Sequence, residues 1–474
     1  MHAWRTVTTI TGADRRNGWV DARIDVIGRV LFAVTLMVTL APTTRVTAQP
    51  AQPLRIGEQS HLLLGDLYNQ VQRANPRIAA ARALTRAAQA RVLGVSRPPD
   101  PQLQLGFMNY TLPGLKPMPT LGMTQFQIMQ MLPLGGKLAL AGRVASAQAS
   151  ATGFRAEDVS WELRSQTAMA FYELYATDRG LDVARETLRL LRDIAATAES
   201  MYRVGDGRQA DVLRARVEIA RMAEDTLRMQ AMRQSMTARL DALLDRDPSA
   251  KIGAPALPAF PDSVPSRAWL DSVARDSRPM ILGGLDDVRA ADASARLARK
   301  EIVPDLQVGA QYAQRGGEMG TERMGSLMLG ASVPLFARSR QLQMRVEADA
   351  MQQMAQADLA AMRADTRGRI GEAYAALARA RSLARLYRTT VLPQAEATVT
   401  SALSAYRVGS VDFMTLLDNR MTVNRYRQEL SALDADQGKA WADLEMLIGR
   451  ALFDANTLIS SIAATTRPTS RSER

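Results

Sequence analysis

The tetrapeptide Tyr202-Arg203-Val204-Gly205 returns, letter for letter, as Tyr406-Arg407-Val408-Gly409, 204 positions further on. A long helical pattern runs into each copy and another runs out. Glycine takes the left-handed conformation that ends a helix without steric cost, so each copy reads as the tip of a helical hairpin. Other punctuation keeps the same offset. Asn75-Pro76 matches Arg278-Pro279 at 203, the stretch from Pro101 to Gly106 matches that from Pro304 to Gly309 at 203, and Leu132-Pro133-Leu134 matches Val333-Pro334-Leu335 at 201. Landmarks sharing both order and spacing require a tandem duplication, so the chain is one body built twice.

Before the first repeat, Arg29 precedes an apolar run from Val30 to Ala41, and Val46-Thr47-Ala48 offers small residues for cleavage. This predicts a secretory signal over 1–48, followed by an extension over 49–61. The apolar run is too short to span a bilayer as a helix, and no later run is longer, so membrane insertion would have to use strands. The chain has no cysteine, which excludes disulfides, thiol chemistry and a lipid on an N-terminal cysteine. Removing six Arg and three Asp with the signal takes the formal charge from +12 to +9. That excess is thinly spread, with Glu218, Arg221, Glu224 and Arg228 alternating along one solvated helix face. Nucleic-acid binding, which needs a basic block among exposed aromatics, is set aside.

Strand signals come in two pairs. Leu103, Leu105 and Phe107 alternate with Gln102, Gln104 and Gly106, and after a Pro- and Gly-rich loop over Thr111–Thr120, Phe126 and Ile128 alternate with Gln125, Gln127 and Met129. In the second repeat Leu306, Val308, Ala310 and Tyr312 form one such run, and Leu327, Leu329, Ala331 and Val333 form its partner. A period of two means one apolar and one polar face. Each run is about ten residues, the length that crosses a bilayer when tilted. Four strands cannot close a barrel, and open edges in lipid would leave backbone groups unpaired, so other chains must complete the ring.

Between Leu134 and Asp247 there is no proline, and Leu174, Leu181 and Leu188 stand at heptad spacing. Ala170, Ala184 and Ala198 leave room for close helix approach. A helix of sixty-odd residues would be roughly 90–100 Å long, far beyond what a globular core needs. The second repeat repeats the pattern from Arg338 to Tyr406, with a kink expected at Pro393. Helices of half that length return over Ala210–Leu244 and Phe413–Ile448. The expected organisation is a first repeat over 62–247, a five-proline connector over 248–266, a second repeat over 267–450, and a C-terminal tail over 451–474, disordered at its end.

Taken together, the duplicated halves, the strand hairpins leading into very long helices, the Tyr-Arg-Val-Gly tips and the signal resemble the TolC-like outer-membrane factor family. The resemblance covers about 62–450 and is carried by Gln130 to Lys137, Tyr202 to Leu213, Val391-Leu392-Pro393 and Tyr406 to Arg420. It implies a mixed α and β fold with four transmembrane β-strands and very long periplasmic α-helices per chain. A homotrimer would form a 12-stranded β-barrel continued by an α-helical barrel. The implied function is an outer-membrane export duct passing small toxic compounds or metal ions, working with a periplasmic adaptor protein and, through it, an inner-membrane pump. Where many relatives carry a lipidated cysteine this chain has none, leaving the barrel in outer-membrane lipid as its anchor. The outer-membrane part of a type I protein secretion system, a passive coiled-coil envelope protein and a solute-selective porin are the alternatives.

The resemblance also assigns residues. The tips Tyr202, Arg203, Val204, Gly205, Asp206 and Tyr406, Arg407, Val408, Gly409, Ser410 would dock the adaptor. Asp418 would ring the closed tunnel end, with Thr415 and Asp211 at the paired gate positions; as an ordinary helix Asp, Asp418 would merely be solvated. Val411 stands where a basic partner for Asp211 is expected, so Arg208 or Arg420 would have to substitute. Methionines 108, 118, 123, 129 and 131 crowd the first hairpin. Thioethers suit Cu(I), with Met118 and Met123 as candidate ligands, while flexible apolar filling is the plainer role. Met229, Met232 and Met236 have helical packing spacing, and His61 has no ligand partner. One mature histidine, no cysteine, no phosphate loop and no convergent carboxylates argue against an enzyme and against any cofactor.

Overall fold

In the computed structural model the described residues are 61–114, 116–119, 121–248, 250, 252–317 and 320–456; the expected signal, most of the extension and most of the tail lie outside them. In chain order the elements begin with β1 (His61–Leu62), α1 (Leu64–Ala74), α2 (Pro76–Val95) and β2 (Gln102–Met108). A small ladder of β3 (Tyr110–Thr111) with β4 (Lys116–Pro117) caps the loop before β5 (Met123–Leu132). Then come α3 (Lys137–Arg203) and α4 (Gln209–Leu243). The second repeat follows β6 (Ala254–Pro255) with α5 (Arg267–Ser277), α6 (Pro279–Lys300), β7 (Leu306–Gly317) and β8 (Gly320–Ala331). It closes with α7 (Gln341–Leu386), a π-helical turn over Tyr387–Val391, α8 (Leu392–Arg407) and α9 (Phe413–Ile448).

The duplication is visible in the lengths. Helix α3 has 67 residues, about 100 Å at 1.5 Å per residue. The span Gln341–Arg407 has the same 67, offset by 204 at both ends, but it is not one α-helix. Pro393 has no N–H to offer, and the backbone just before it widens, with the Leu392 N–H donating to the Tyr387 carbonyl five residues back. Helix boundaries elsewhere follow local chemistry. Asn75 is extended and its side chain accepts from the Arg77 N–H at 2.9 Å, which opens α2 with Pro76 at its first position.

Helix α3 is the spine, and its partners change half-way along it. Thr85 of α2 donates to the Thr152 carbonyl, and Arg155 reaches Asp287 of α6, so the first half lies against α2 and α6. From residue 164 onward the neighbours are α9 and α4: Arg164 pairs with Glu445 at 3.1 Å and Arg233 with Asp178 at 2.6 Å. The Arg164 guanidinium also lies 3.8 Å from the Tyr68 ring centroid. Burial raises the Glu445 carboxyl above its usual range, against the opposing pull of Arg164. Ala170, Ala184 and Ala198 are all buried, as close helix approach requires.

At the change-over the connector does more than link the repeats. Its β6 pairs in parallel with β1, bringing His61, which the sequence placed before the fold, opposite Ala254. Its Phe260 stacks between Tyr172 and Phe453, at centroid distances of 6.1 and 5.8 Å, in an aromatic chain that runs on to Trp441. Tyr172 is fully buried, and a side chain on Gly438 of α9 would meet its ring at 2.3 Å. Gly438→Ala is therefore expected to lower stability by about 1–3 kcal/mol through overpacking. Thermal unfolding followed by circular dichroism checks this, and an unchanged midpoint would show that the ring can yield.

Candidate functional site

Register sorts the strands into two chemically distinct faces. The sheet order is β2-β5-β7-β8, with every neighbouring pair antiparallel. Leu103 opposes Ile128, Leu105 opposes Phe126, Phe126 opposes Tyr312 and Ala310 opposes Leu327, so one face is apolar through its middle, with Gln130 toward the helices and Thr124, Gln314 and Arg323 toward the loops. These side chains touch little within the chain: Leu327 is 86% exposed and Leu105 62%. On the other face Gln104, Gln127, Gln311 and Ser326 form one row across all four strands, and Gln311 donates to Gln125 at 2.7 Å. Strands β2 and β8 are open edges. Among the described residues no helix is long and apolar enough to cross a membrane.

The sheet is tied to the helices at Lys137, the first residue of α3. Its side chain is buried and donates to the Val303 carbonyl and to Asp305, both at 2.8 Å, just before β7. One residue of the first repeat thus fixes the helix-to-strand junction of the second.

At the far end both tips close with the same backbone bonds. Gly205 and Gly409 have φ of 89° and 73°, and the following N–H, Asp206 or Ser410, donates back to Met201 or Ala405. Val204 and Val408 are exposed to 71% and 78%. The two tyrosines part company. Tyr202 is exposed, whereas Tyr406 is buried against Phe413 at a centroid distance of 5.8 Å. Tyr406 is thus part of the tip core and has no free surface for docking, a correction to the reading that grouped the two.

The gate positions also sort differently from expectation. Asp418 is exposed and, among the described residues, makes no hydrogen bond or ion pair; it lines a groove of about 690 Å³ between α4 and α9 with Arg228 and Arg425. Thr415 is committed to the local backbone: Asp412 caps α9 by accepting from the Thr415 N–H at 3.0 Å and from its hydroxyl, which holds the Asp412 carboxyl below its usual range. Asp211 forms no ion pair among the described residues. Of its two expected substitutes, Arg208 acts on Asp412, and Arg420 is buried within the field of Arg427, Glu186 and Glu396. Neither bonds Asp211; burial first, and the Asp211 charge second, raise the Tyr406 phenol above its usual range.

Closer to the tips than the Arg164–Glu445 pair, the two helical hairpins are joined by Arg427. From α9 it reaches Glu186 on α3 at 2.9 Å and Glu396 on α8 at 2.6 Å, and these contacts raise its pKa against the effect of burial. Sequence offered no signal for it, because three helices remote in the chain must converge before the fork exists. Met123 lies directly opposite Met108, whereas Met118 sits in the loop beyond β4. No group of three or more His, Cys, Asp or Glu side chains among the described residues could hold a metal ion.

The sequence profile described as "Outer membrane efflux protein" matches residues 67–246 and 270–450, one match per repeat. The cobalt-zinc-cadmium resistance protein CzcC of Cupriavidus metallidurans is 23% identical over 309 residues, covering 64% of this chain and 70% of that one. The crystal structure of CusC superposes with a TM-score of 0.71 at 17% identity, covering 87% of this chain and 100% of that one. The outer membrane protein VceC of Vibrio cholerae gives 0.70 at 16%, covering 82% and 96%.

Arg427→Ala is expected to loosen the contact between the hairpins. The glutamates are nearly half exposed, so the global cost is only about 1 kcal/mol. The local effect should be larger: amide exchange should speed up in α8 and the first half of α9, with none at the Glu445 end. Unchanged exchange in α8 would show that apolar packing alone holds the hairpins together.

Proposed function

The chain belongs to the outer membrane efflux protein family, and on that premise we propose that it is the export duct of a tripartite efflux system, passing small toxic compounds or metal ions from the periplasm to the outside. The observation that carries this is the four-stranded sheet, apolar on one face, glutamine-lined on the other and open at both edges, set at one end of helices about 100 Å long. Strands of 10–12 residues in β5, β7 and β8 are long enough to cross a bilayer when tilted. Three copies would pair β2 of one chain with β8 of the next, giving twelve strands and no free edge. The apolar face would then meet lipid and the glutamine face would line the lumen. Such helices suit a duct reaching into the periplasm better than they suit a porin, whose strands are joined by turns and loops.

In that assembly Asp418, exposed and without a hydrogen bond or ion pair among the described residues, is the candidate for the narrow ring near the closed end, where three carboxylates would repel one another and hold cations. Light scattering in detergent should give about three chains per particle. In planar bilayers Asp418→Ala should reduce cation selectivity and block by divalent ions relative to wild type. A stable monomer that keeps its strand signal would remove the duct reading, and identical selectivity and block would place the constriction elsewhere.

The exposed tip residues Tyr202, Arg203, Val204, Gly205 and Asp206, with Arg407, Val408, Gly409 and Ser410, are the proposed contact for the periplasmic adaptor. Nothing lies within 4 Å of where a side chain on Gly205 or Gly409 would point, so bulk there should obstruct a partner. The positive φ adds some local strain. Gly205→Trp and Gly409→Trp should each lower crosslinking to the adaptor while trimers persist; unchanged crosslinking in both would exclude the tips.

A further inference from the structure

Methionine is distributed unevenly across the sheet. Met108, Met123, Met129, Met131, Met324 and Met328 all fall on the glutamine face by register, and the apolar face carries none. Packing within the chain accounts for only part of this: Ala313 on the same face is buried, but Met108, Met131 and Met324 remain 45%, 39% and 38% exposed. Attraction for greasy cargo does not account for it either. The same face holds no aromatic residue and no Leu, Ile or Val, while Phe107, Phe126 and Tyr312 all lie on the other side. What has been placed there is the thioether.

The thioethers also come in pairs. Met108 and Met123 are direct register partners, on strands whose facing Cβ atoms stand about 4.5–5.5 Å apart. Met129 and Met328 close over Gly309 between them, where a Cβ would meet Met129 Cγ at 3.3 Å and Met328 Cε at 3.5 Å. The absent side chain is what lets the two reach across β7 toward each other. Among the described strand residues the charged groups on this face are Arg315 and Glu322, which neutralise each other at 2.6 Å. A hard divalent ion, which wants carboxylates or imidazole, finds little here. A soft monovalent cation, which wants sulfur, finds pairs of neutral sulfur donors.

We propose that this face binds soft monovalent cations, Cu⁺ or Ag⁺, through the Met108–Met123 and Met129–Met328 pairs as they pass along the lumen. The inference rests on the duct reading, since it needs this face to line a water-filled passage. Neutral thioether pairs hold such an ion weakly enough to release it, which conduction requires.

Silver is the probe, because it needs no reductant. Titration of the purified full-length protein in nanodiscs by calorimetry should show Ag⁺ binding that weakens at least about tenfold when all four are replaced by volume-matched leucine (Met108→Leu, Met123→Leu, Met129→Leu, Met328→Leu). Trimer mass and conductance should be retained. A second measurement needs no variant: Ag⁺ should protect these four methionines of the wild type from peroxide oxidation, read by peptide mass spectrometry, while Met118 in the loop oxidises as before. Equal Ag⁺ affinity in wild type and variant, or no protection, overturns the proposal. So does loss of binding of a neutral aromatic probe with Ag⁺ binding intact, which would mark the face as an apolar-cargo surface. A wild type that forms no trimer and no channel would instead fail the duct reading, and with it the lumen on which this inference stands.

Discussion

A helix about 100 Å long is held by what lies beside it. Its internal hydrogen bonds fix its shape, but its place in the fold comes from side chains that let neighbours approach. In α3 those are the buried alanines 170, 184 and 198 together with Leu163, Leu174 and Leu191. Because α3 outlasts any single neighbour, the body has two packing regimes. Near the sheet it lies against α2 and α6, and beyond residue 164 against α4 and α9. The change-over concentrates the most crowded chemistry of the molecule: the connector's Phe260 in an aromatic chain, Gly438 against Tyr172, and the buried Arg164–Glu445 pair. A break there would separate the sheet from the tips, so the rigidity of the whole body depends on it.

Duplication supplied two similar halves, and the differences between them bear on function. The first half keeps an unbroken α3, while the second interrupts the same 67-residue span with a π-helical turn before Pro393. The second tip is also the more tightly built: Tyr406 packs on Phe413, and Asp412 caps α9 through Thr415, where Arg208 provides no side-chain cap for α4. The second hairpin thus has a firm tip and an altered turn higher up, joined to the first by Arg427. On the duct reading, a hairpin that moves as a body is what a closed end able to open would need, and a clamp worth about 1 kcal/mol is weak enough to release.

The sheet adds what composition leaves open, the face on which each methionine stands. Methionine-rich sequence is ambiguous, because the same thioether serves as core filler and as soft ligand. Facing bears on the choice, and it is fixed by a register in which a one-residue slip would reverse every side chain. Met108 opposes Met123, and both stand on the glutamine side of the sheet.

By itself the sequence determined whatever depends on neighbours along the chain. Asn75 and Pro76 end one helix and begin the next, Pro393 disturbs its own turn, Gly205 and Gly409 close the tips, and alternation over Leu103–Phe107 and Leu306–Tyr312 makes strands with two faces. These are backbone and periodicity effects, which a few residues specify wherever they occur. Tertiary structure alone decided partnership. It separated Tyr202 from Tyr406, which share one tetrapeptide, because only the second meets a Phe413. It gave Arg427 two glutamates from other helices and left Asp211 without the arginine expected for it. It also brought Met328 to Met129 across 199 positions of sequence, over a glycine on the strand between them. A side chain's local tendencies travel with its own stretch of chain, but what it touches depends on segments folded beside it from hundreds of residues away.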